Sequence, residues 1–571
     1  MTTINNYKIA IDEQTLDRMI NEQMMPVNMV DKNFSGYQKL EDGDKKALDY
    51  LIRAAKIINN VALEQDHPLN LTLKQGLEQA APKNSHAAKA LKIFNSLNGV
   101  AGINGLDPEP IEIFEGVKSF AGHNFYPQDL TVDEFHDILE KMINSGQITE
   151  VKNILSARTM VRRDGDKLKA VDYTVYFAKE FSETANALEL AAHYSTNEEF
   201  NDYLGWQAQA LLQTNDDMDM LADKHWAKMQ DTPLEFTLSR ENYDDQMTPT
   251  VFDNPKLAAL FEEHGILPNP KDMLGARVGI VNKQGTELIL TFKKQMAALA
   301  KLMPFADKYE QKIDNGDNVK QTMVDVDLVT LQGDYAQCRG GITTAQNLPN
   351  DDKTAVKTGG GRRNVYHRQV RMSGDKNRTK KMLDVLLEKS FHQYYDEEAE
   401  HIFVIGHENG HSLGPDNSFK TALGIYQHII EENKADVVSI TMMPEYVKAG
   451  IIDEITLKKV YVTWVMRLLL KAKPKHIQPH RVGDLIHFNR LVERGGIKFD
   501  TDNKIVFDFE KFHAIIRELL EETILVQLSK STTKAKQFID DNSSWGEIHE
   551  YIAKTLKSLG IKPYKDIRTY L

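Results

Sequence analysis

The chain has 571 residues, 41% of them apolar and 27% charged, a composition that excludes collagen-like, coiled-coil-rod and globally disordered classes and leaves length for large cores. Its 70 Lys and Arg against 83 Asp and Glu give a net charge of −13, which repels phosphate backbones and anionic lipid, so neither nucleic acid nor a membrane is expected as partner. With a single cysteine, Cys338, neither an intramolecular disulfide nor a Cys-based metal site is available, and any metal must be held by His, Asp or Glu.

The first residues lack a basic segment followed by an apolar one, and the longest apolar run, Val460 to Leu470, is interrupted by Thr463 and Arg467; a soluble, cytoplasmic protein is the expectation. The absence of repeats, low-complexity tracts and Pro/Gly-rich tethers predicts interwoven lobes rather than separable domains. The first 240 residues read mainly as amphipathic helices. Thr131-x-x-Glu134 is a capping box opening a helix whose Phe135, Ile138, Leu139 and Ile143 recur at helical spacing. Between about 276 and 347 the pattern mixes, with β-prone pieces at Arg277–Asn282, Thr322–Thr330 and Gly341–Thr344 around a helix carrying Leu288, Phe292, Met296, Leu299 and Met303. The predicted class is α+β, mainly α. Lys357–Arg363 (KTGGGRR) is glycine-rich but lacks both a following Lys-Ser/Thr and the G-x-G-x-x-G spacing, so it reads as a loop rather than a phosphate cradle. From about 380 to 530 the chain is helical again.

That last stretch carries the chemistry. In His407-Glu408-Asn409-Gly410-His411 the histidines stand four apart on one helix face, so both imidazoles can converge on one cation while Glu408 reaches a water beside it. Residue frequencies alone give on the order of 0.04 such His-Glu-x-x-His matches in a chain this long. The preceding Ile402-Phe403-Val404-Ile405 buries the helix and opposes the bland reading of two surface histidines. A hydrolytic zinc site wants a third protein ligand and an open position. Twenty residues after His411 in sequence, the segment Glu431-Glu432-Asn433-Lys434-Ala435-Asp436 begins in a helical stretch with Leu423, Tyr426, Ile430 and Val437 on its apolar side, and one of the two glutamates can be that ligand.

His407–Pro415 (HENGHSLGP) followed by Glu431–Asp436 (EENKAD) resembles the dipeptidyl peptidase III family of zinc metallopeptidases, particularly its bacterial and plant branch. The likeness continues in Gly122–Phe135 (GHNFYPQDLTVDEF), Leu238–Gln246 (LSRENYDDQ), Gly340–Asp351 (GGITTAQNLPND) and His480–Gly496 (HRVGDLIHFNRLVERGG). The first motif has the five-residue form, without the extra residue of animal and fungal members. Asn409-Gly410 stands where a bulky apolar pair is usual, and Gly410 costs roughly 1 kcal/mol of helix propensity relative to Ala.

What the resemblance implies is specific. One Zn2+ per chain is held by His407, His411 and Glu432, with Glu408 as general base and Glu431 and Asp436 accepting from the histidine N–H groups. Tyr243 and His480 donate to the oxyanion of the tetrahedral intermediate. Glu241, Asn347 and Asn350 bind the free amine of oligopeptide substrates, from which dipeptides are released, and the extended peptide lies along an edge strand. The implied fold has two lobes around a wide cleft: a helical, zinc-bearing upper lobe (276–309 with 376–571), and a lower lobe with a small β-barrel (1–275 with 310–375). Two other readings stand beside it: a zinc endopeptidase or carboxypeptidase of different register, and a weakly active peptide-binding scaffold.

Overall fold

The computed structural model describes residues 2–103, 110–213, 216–241, 245–311, 322–334, 345–348, 363–367, 375–475, 478–560 and 564–568. Tyr243, Cys338, Asn350, the expected strand Gly341–Thr344 and most of the glycine-rich Lys357–Arg363 segment lie outside them.

The N-terminal part contributes strand β1 (Met24–Asn28) and α1 (Asp42–Asp66), whose Leu48, Leu51, Ile52, Ala55, Ile58 and Ala62 are buried at steps of three and four. Helix α2 (Val132–Asn144) begins where the capping box predicts: the Thr131 hydroxyl accepts from Glu134 N at 3.2 Å, and Phe135, Ile138, Leu139 and Ile143 are buried. The Glu134 carboxylate is shared between the Thr131 backbone and the Arg163 guanidinium. The helical run is broken by a hairpin, β2 (Thr159–Asp164) and β3 (Lys167–Asp172), which turns through Gly165 at φ +64°. Helices α3 (Ala178–Tyr194), α4 (Glu198–Leu212) and α5 (Asp216–Lys228) follow.

Five strands then form the largest sheet: β4 (Leu234–Glu241), β5 (Met273–Val281), β6 (Thr322–Gly333), β7 (Ala345–Leu348) and β8 (Arg363–Tyr366). Their order is β7-β8-β6-β5-β4, with β6 and β8 parallel and the other pairs antiparallel. Two of the three predicted strands fall in β5 and β6. The expected small β-barrel is present as a curled half-barrel: β7 and β4 are edges among the described residues, and a bulge between Leu328 and Thr330 bends β6. Arg363, at the start of β8, is fully buried against Glu235 of β4 at 2.7 Å, and Trp226 Nε1 donates to the other Glu235 oxygen at 2.7 Å.

Between β5 and β6 the single predicted helix is two, α6 (Lys283–Lys293) and α7 (Met296–Ala300), with Met303 beyond them. The apolar series survives the break, since Phe292, Met296, Leu299 and Met303 are buried in one core. That core is completed by the helices after residue 380, including α8 (Glu397–His411), α9 (Gln427–Lys448), α10 (Glu454–Arg467), α11 (Pro479–Arg494) and α12 (Phe509–Leu528). A second core joins α1 to α4 with β4, β5 and β6, and β5 runs across residues 275 and 276 wholly within it. A smaller third core gathers residues between Ile4 and Val117 with Tyr564, where β9 (Tyr564–Arg568) pairs parallel with β1. The result is a mainly helical fold of two lobes. No described helix is long and apolar enough to cross a membrane.

Candidate metal centre

Helix α8 starts at Asp396, whose side chain accepts from Glu398 N, with Glu397, Glu398 and Glu400 in the first turn, where the helix dipole favours negative charge. Its apolar run Phe403, Val404 and Ile405 is buried, as the sequence predicts. Helix α9 crosses it closely. A Cβ on Gly410 would lie 2.7 Å from the Ala435 carbonyl oxygen and 3.0 Å from Ala435 Cα, and one on Gly406 would collide with Ser439 Oγ. Ser439 Oγ donates to the Phe403 carbonyl at 2.7 Å across the same contact. The two glycines flank His407 and precede His411, so they allow the backbones to approach where the chemistry needs it. Gly410 trades helix propensity for that approach.

The approach brings three ligand atoms together. His407 Nε2 and His411 Nε2 are 3.1 Å apart, and Glu432 Oε2 lies 3.4 Å from the first and 3.6 Å from the second. Ligands about 2.0–2.1 Å from a tetrahedral zinc stand about 3.3 Å from one another, so this spacing fits that ion. The donor set fits as well. Each Nδ1 faces a carboxylate, His407 to Asp436 Oδ1 at 2.6 Å and His411 to Glu431 Oε1 at 3.0 Å. With both Nδ1–H groups donating there, the two Nε2 lone pairs and the Glu432 carboxylate form an all-acceptor cluster that could hold a cation between them.

The same groups act on one another electrostatically. Burial pushes the His407 imidazole down, but Asp436 and Glu432 outweigh it and hold the ring well above the usual histidine value. Burial pushes Glu432 up, yet His411, His407 and His480 bring it down to about 2. Asp436 is held well below the ordinary carboxylate range by His407, Arg467 and His487 against its burial.

Helix α9 distributes these roles by its pitch. Glu432 and Asp436, four apart, share the face toward His407. Glu431, one residue earlier, accepts from His411 and also meets Lys420 Nζ at 3.0 Å, Lys434 Nζ at 2.9 Å and Gln527 Nε2 at 3.1 Å. Those three donors were not among the predicted site residues. Lys434 was within reach of sequence reasoning, three residues after Glu431 on one helix, whereas Gln527 comes from α12 with no local signal. Behind Asp436, the buried Asp484 and His487 form a second group of potential ligands with it. The Arg467 guanidinium acts on all three and supplies positive charge there, and burial pushes His487 down to about 4.

Of the other predicted residues, Glu408 is partly exposed on α8 directly after His407. His480, in the first turn of α11, is more than half exposed with Nδ1 3.3 Å from Glu432 Oε2, so it stands at the open edge of the cluster. Glu241 is the last residue of β4, opposite Met273, and Asn347 lies on the edge strand β7, opposite Asn364. Tyr243 and Asn350 belong to the undescribed residues.

No family model matches the chain. It is similar to Nudix hydrolase 3 of Arabidopsis thaliana, 22% identical over 532 residues that make up 86% of this chain and 66% of that protein. The chain thus spans just under two thirds of the length of that relative. Among solved structures it is similar to dipeptidyl peptidase III from Caldithrix abyssi, with TM-score 0.75, 23% identity, and coverage of 96% of this chain and 98% of the other. Dipeptidyl-peptidase III from Corallococcus sp. strain EGB gives TM-score 0.69 and 22% identity over 98% of this chain and 97% of the other. Over nearly its whole length the chain therefore has the dipeptidyl peptidase III fold.

Proposed function

We propose that this chain is a peptidase of the dipeptidyl peptidase III family, a zinc-dependent exopeptidase that releases dipeptides from the N-terminus of oligopeptides. The observation that carries the reading is the convergence of His407 Nε2, His411 Nε2 and Glu432 Oε2 at 3.1, 3.4 and 3.6 Å, with each imidazole anchored from behind by a carboxylate. The structural neighbours support a peptidase by their names, and the six sequence segments support the family.

When bound, zinc supplies Lewis-acid polarisation of a peptide carbonyl and an acidified water. Glu408 takes the proton of the attacking water and delivers it to the departing amine. His480, at the exposed edge, and Tyr243 donate hydrogen bonds to the carbonyl oxygen as negative charge develops on it. Glu241, Asn347 and Asn350 hold the substrate ammonium one dipeptide away from the reacting bond, with Glu241 as its counter-ion. The substrate extends along the edge strand β7, where main-chain hydrogen bonds give affinity without reading side chains. Lobe closure brings the amine clamp toward the metal.

The register is tested with one oligopeptide in two forms, free and acetylated at its N-terminus. Successive dipeptides from the free form and none from the acetylated form are expected. Single amino acids as first products, or equal cleavage of the acetylated peptide, would refute the dipeptidyl assignment.

A further inference from the structure

Lys434 is a fully buried ammonium on α9. Its Nζ donates to the Leu413 carbonyl at 2.7 Å and stands 2.9 Å from Glu431 Oε1. Leu413 and Gly414 lie immediately past the C-terminal end of α8, where carbonyls lack intrahelical donors, and His411 is the last residue of that helix. The lysine stem packs on the same turn, since a Cβ on Gly414 would be 3.3 Å from Lys434 Cδ. Gly414 N also donates to Gln311 Oε1 at 3.1 Å. One side chain therefore grips both the end of the helix that carries His411 and the carboxylate that orients its ring. Lys420 meets the same Glu431 oxygen at 3.0 Å, but from a partly exposed position in the segment between α8 and α9.

Burying an ammonium costs several kcal/mol even when it is paired, and an apolar side chain of similar length would fill the space more cheaply. Resting on the zinc reading above, we propose that Lys434 is a positioning residue for metal binding, a bridge that fixes His411 by holding Glu431 and the end of α8 together. Its charge also suits the negative end of the α8 dipole. Glu431 shared among four donors is a restrained acceptor, so the bridge acts on zinc affinity by fixing where His411 stands.

The test is the zinc dissociation constant of the full-length protein, by competition with a chromophoric chelator, supported by the absorption spectrum of the cobalt(II)-substituted form. Lys434→Met is expected to weaken zinc by about 10–100-fold, the usual loss for an outer ligand partner, and to shift the cobalt spectrum, while Lys420→Met weakens zinc less than about threefold. Lys434→Arg, which keeps two donors in reach, restores most of the affinity. Wild-type affinity in Lys434→Met, equal weakening by Lys420→Met, or no recovery with arginine would each overturn the bridge. Lys434→Gln serves if methionine is not accommodated, with the same expected weakening; failure of both variants to fold would make Lys434 a folding residue and also overturn the proposal. A wild-type chain that binds no zinc would instead overturn the metal reading on which the bridge rests.

Discussion

Asp436 accepts a 2.6 Å hydrogen bond from His407, and Glu431 a 3.0 Å bond from His411, so the ring that faces the cation is in each case turned by a carboxylate behind it. Asp436→Ala removes the shorter of the two and frees His407 to rotate and to change tautomer. Zinc affinity is expected to fall about 10–100-fold, measured by metal analysis after dialysis against a graded chelator; unchanged retention would show that His407 is oriented by packing alone. The motif residues were legible because their chemistry is local: two imidazoles four apart need only a helix. The choice between Glu431 and Glu432 was not legible from spacing, since either can reach. In the fold the rotation of α9 aligns Glu432 with Asp436 on the side of His407, and Glu432 Oε2 faces both Nε2 atoms. Gln527 and Arg467 were invisible for a different reason, being brought in from distant helices by packing.

At the scale of elements, the contact between α8 and α9 rests on Gly406 and Gly410, and propensity and packing make opposite predictions there. Propensity alone has Gly410→Ala stabilise by roughly 1 kcal/mol. The added methyl would meet the Ala435 carbonyl at 2.7 Å, an overpacking that typically costs about 1–3 kcal/mol. A lower melting temperature and weaker zinc binding are expected; a higher melting temperature would show that the helices separate without penalty. The sequence marks Gly410 as a poor helix residue and gives no sign of the neighbour that requires it. Hairpin β2–β3 shows the converse case: its Gly165-Asp166 turn is a local signal, overshadowed by the helical periodicity on both sides.

A second element-scale feature is the acidic group between α5 and the sheet. Asp219 pairs with Arg240 at 2.6 Å and with Arg158, while Asp272 stands 3.4 Å from Arg158. Burial, with Asp219 adding to it, pushes the partly buried Asp223 up to about 6, and burial likewise raises Asp272 to about 6. These carboxyls bind protons more tightly folded than unfolded, so their favourable contribution is present below about pH 4 and lost as pH rises through about 6. Asp223→Asn removes the buried charge. It should stabilise the fold by roughly 1–2 kcal/mol at pH 7 and by almost nothing at pH 4, read from denaturant midpoints at the two values. An equal effect at both would assign the change to packing.

For the molecule as a whole, the predicted mainly helical two-lobe fold is present, and the sheet is a half-barrel in which β7, an edge among the described residues, carries Asn347. Closure could not be read from strand propensities, because it depends on which strands find each other across helices α6 and α7. In the proposed reading, main-chain groups of β7 receive an extended peptide, while the His407, His411 and Glu432 cluster lies on helices of the other core. The proposed function thus has a metal in one lobe acting on a chain held by the other. The most direct measurement is mass spectrometry of an oligopeptide digest by the metal-stripped protein, the zinc-reloaded protein and zinc-loaded Glu408→Gln. Dipeptides should appear with the reloaded protein alone, while Glu408→Gln retains its zinc and loses hydrolysis by several orders of magnitude. Undiminished cleavage by the stripped protein, or by Glu408→Gln, would contradict a zinc peptidase built on His407, His411 and Glu432.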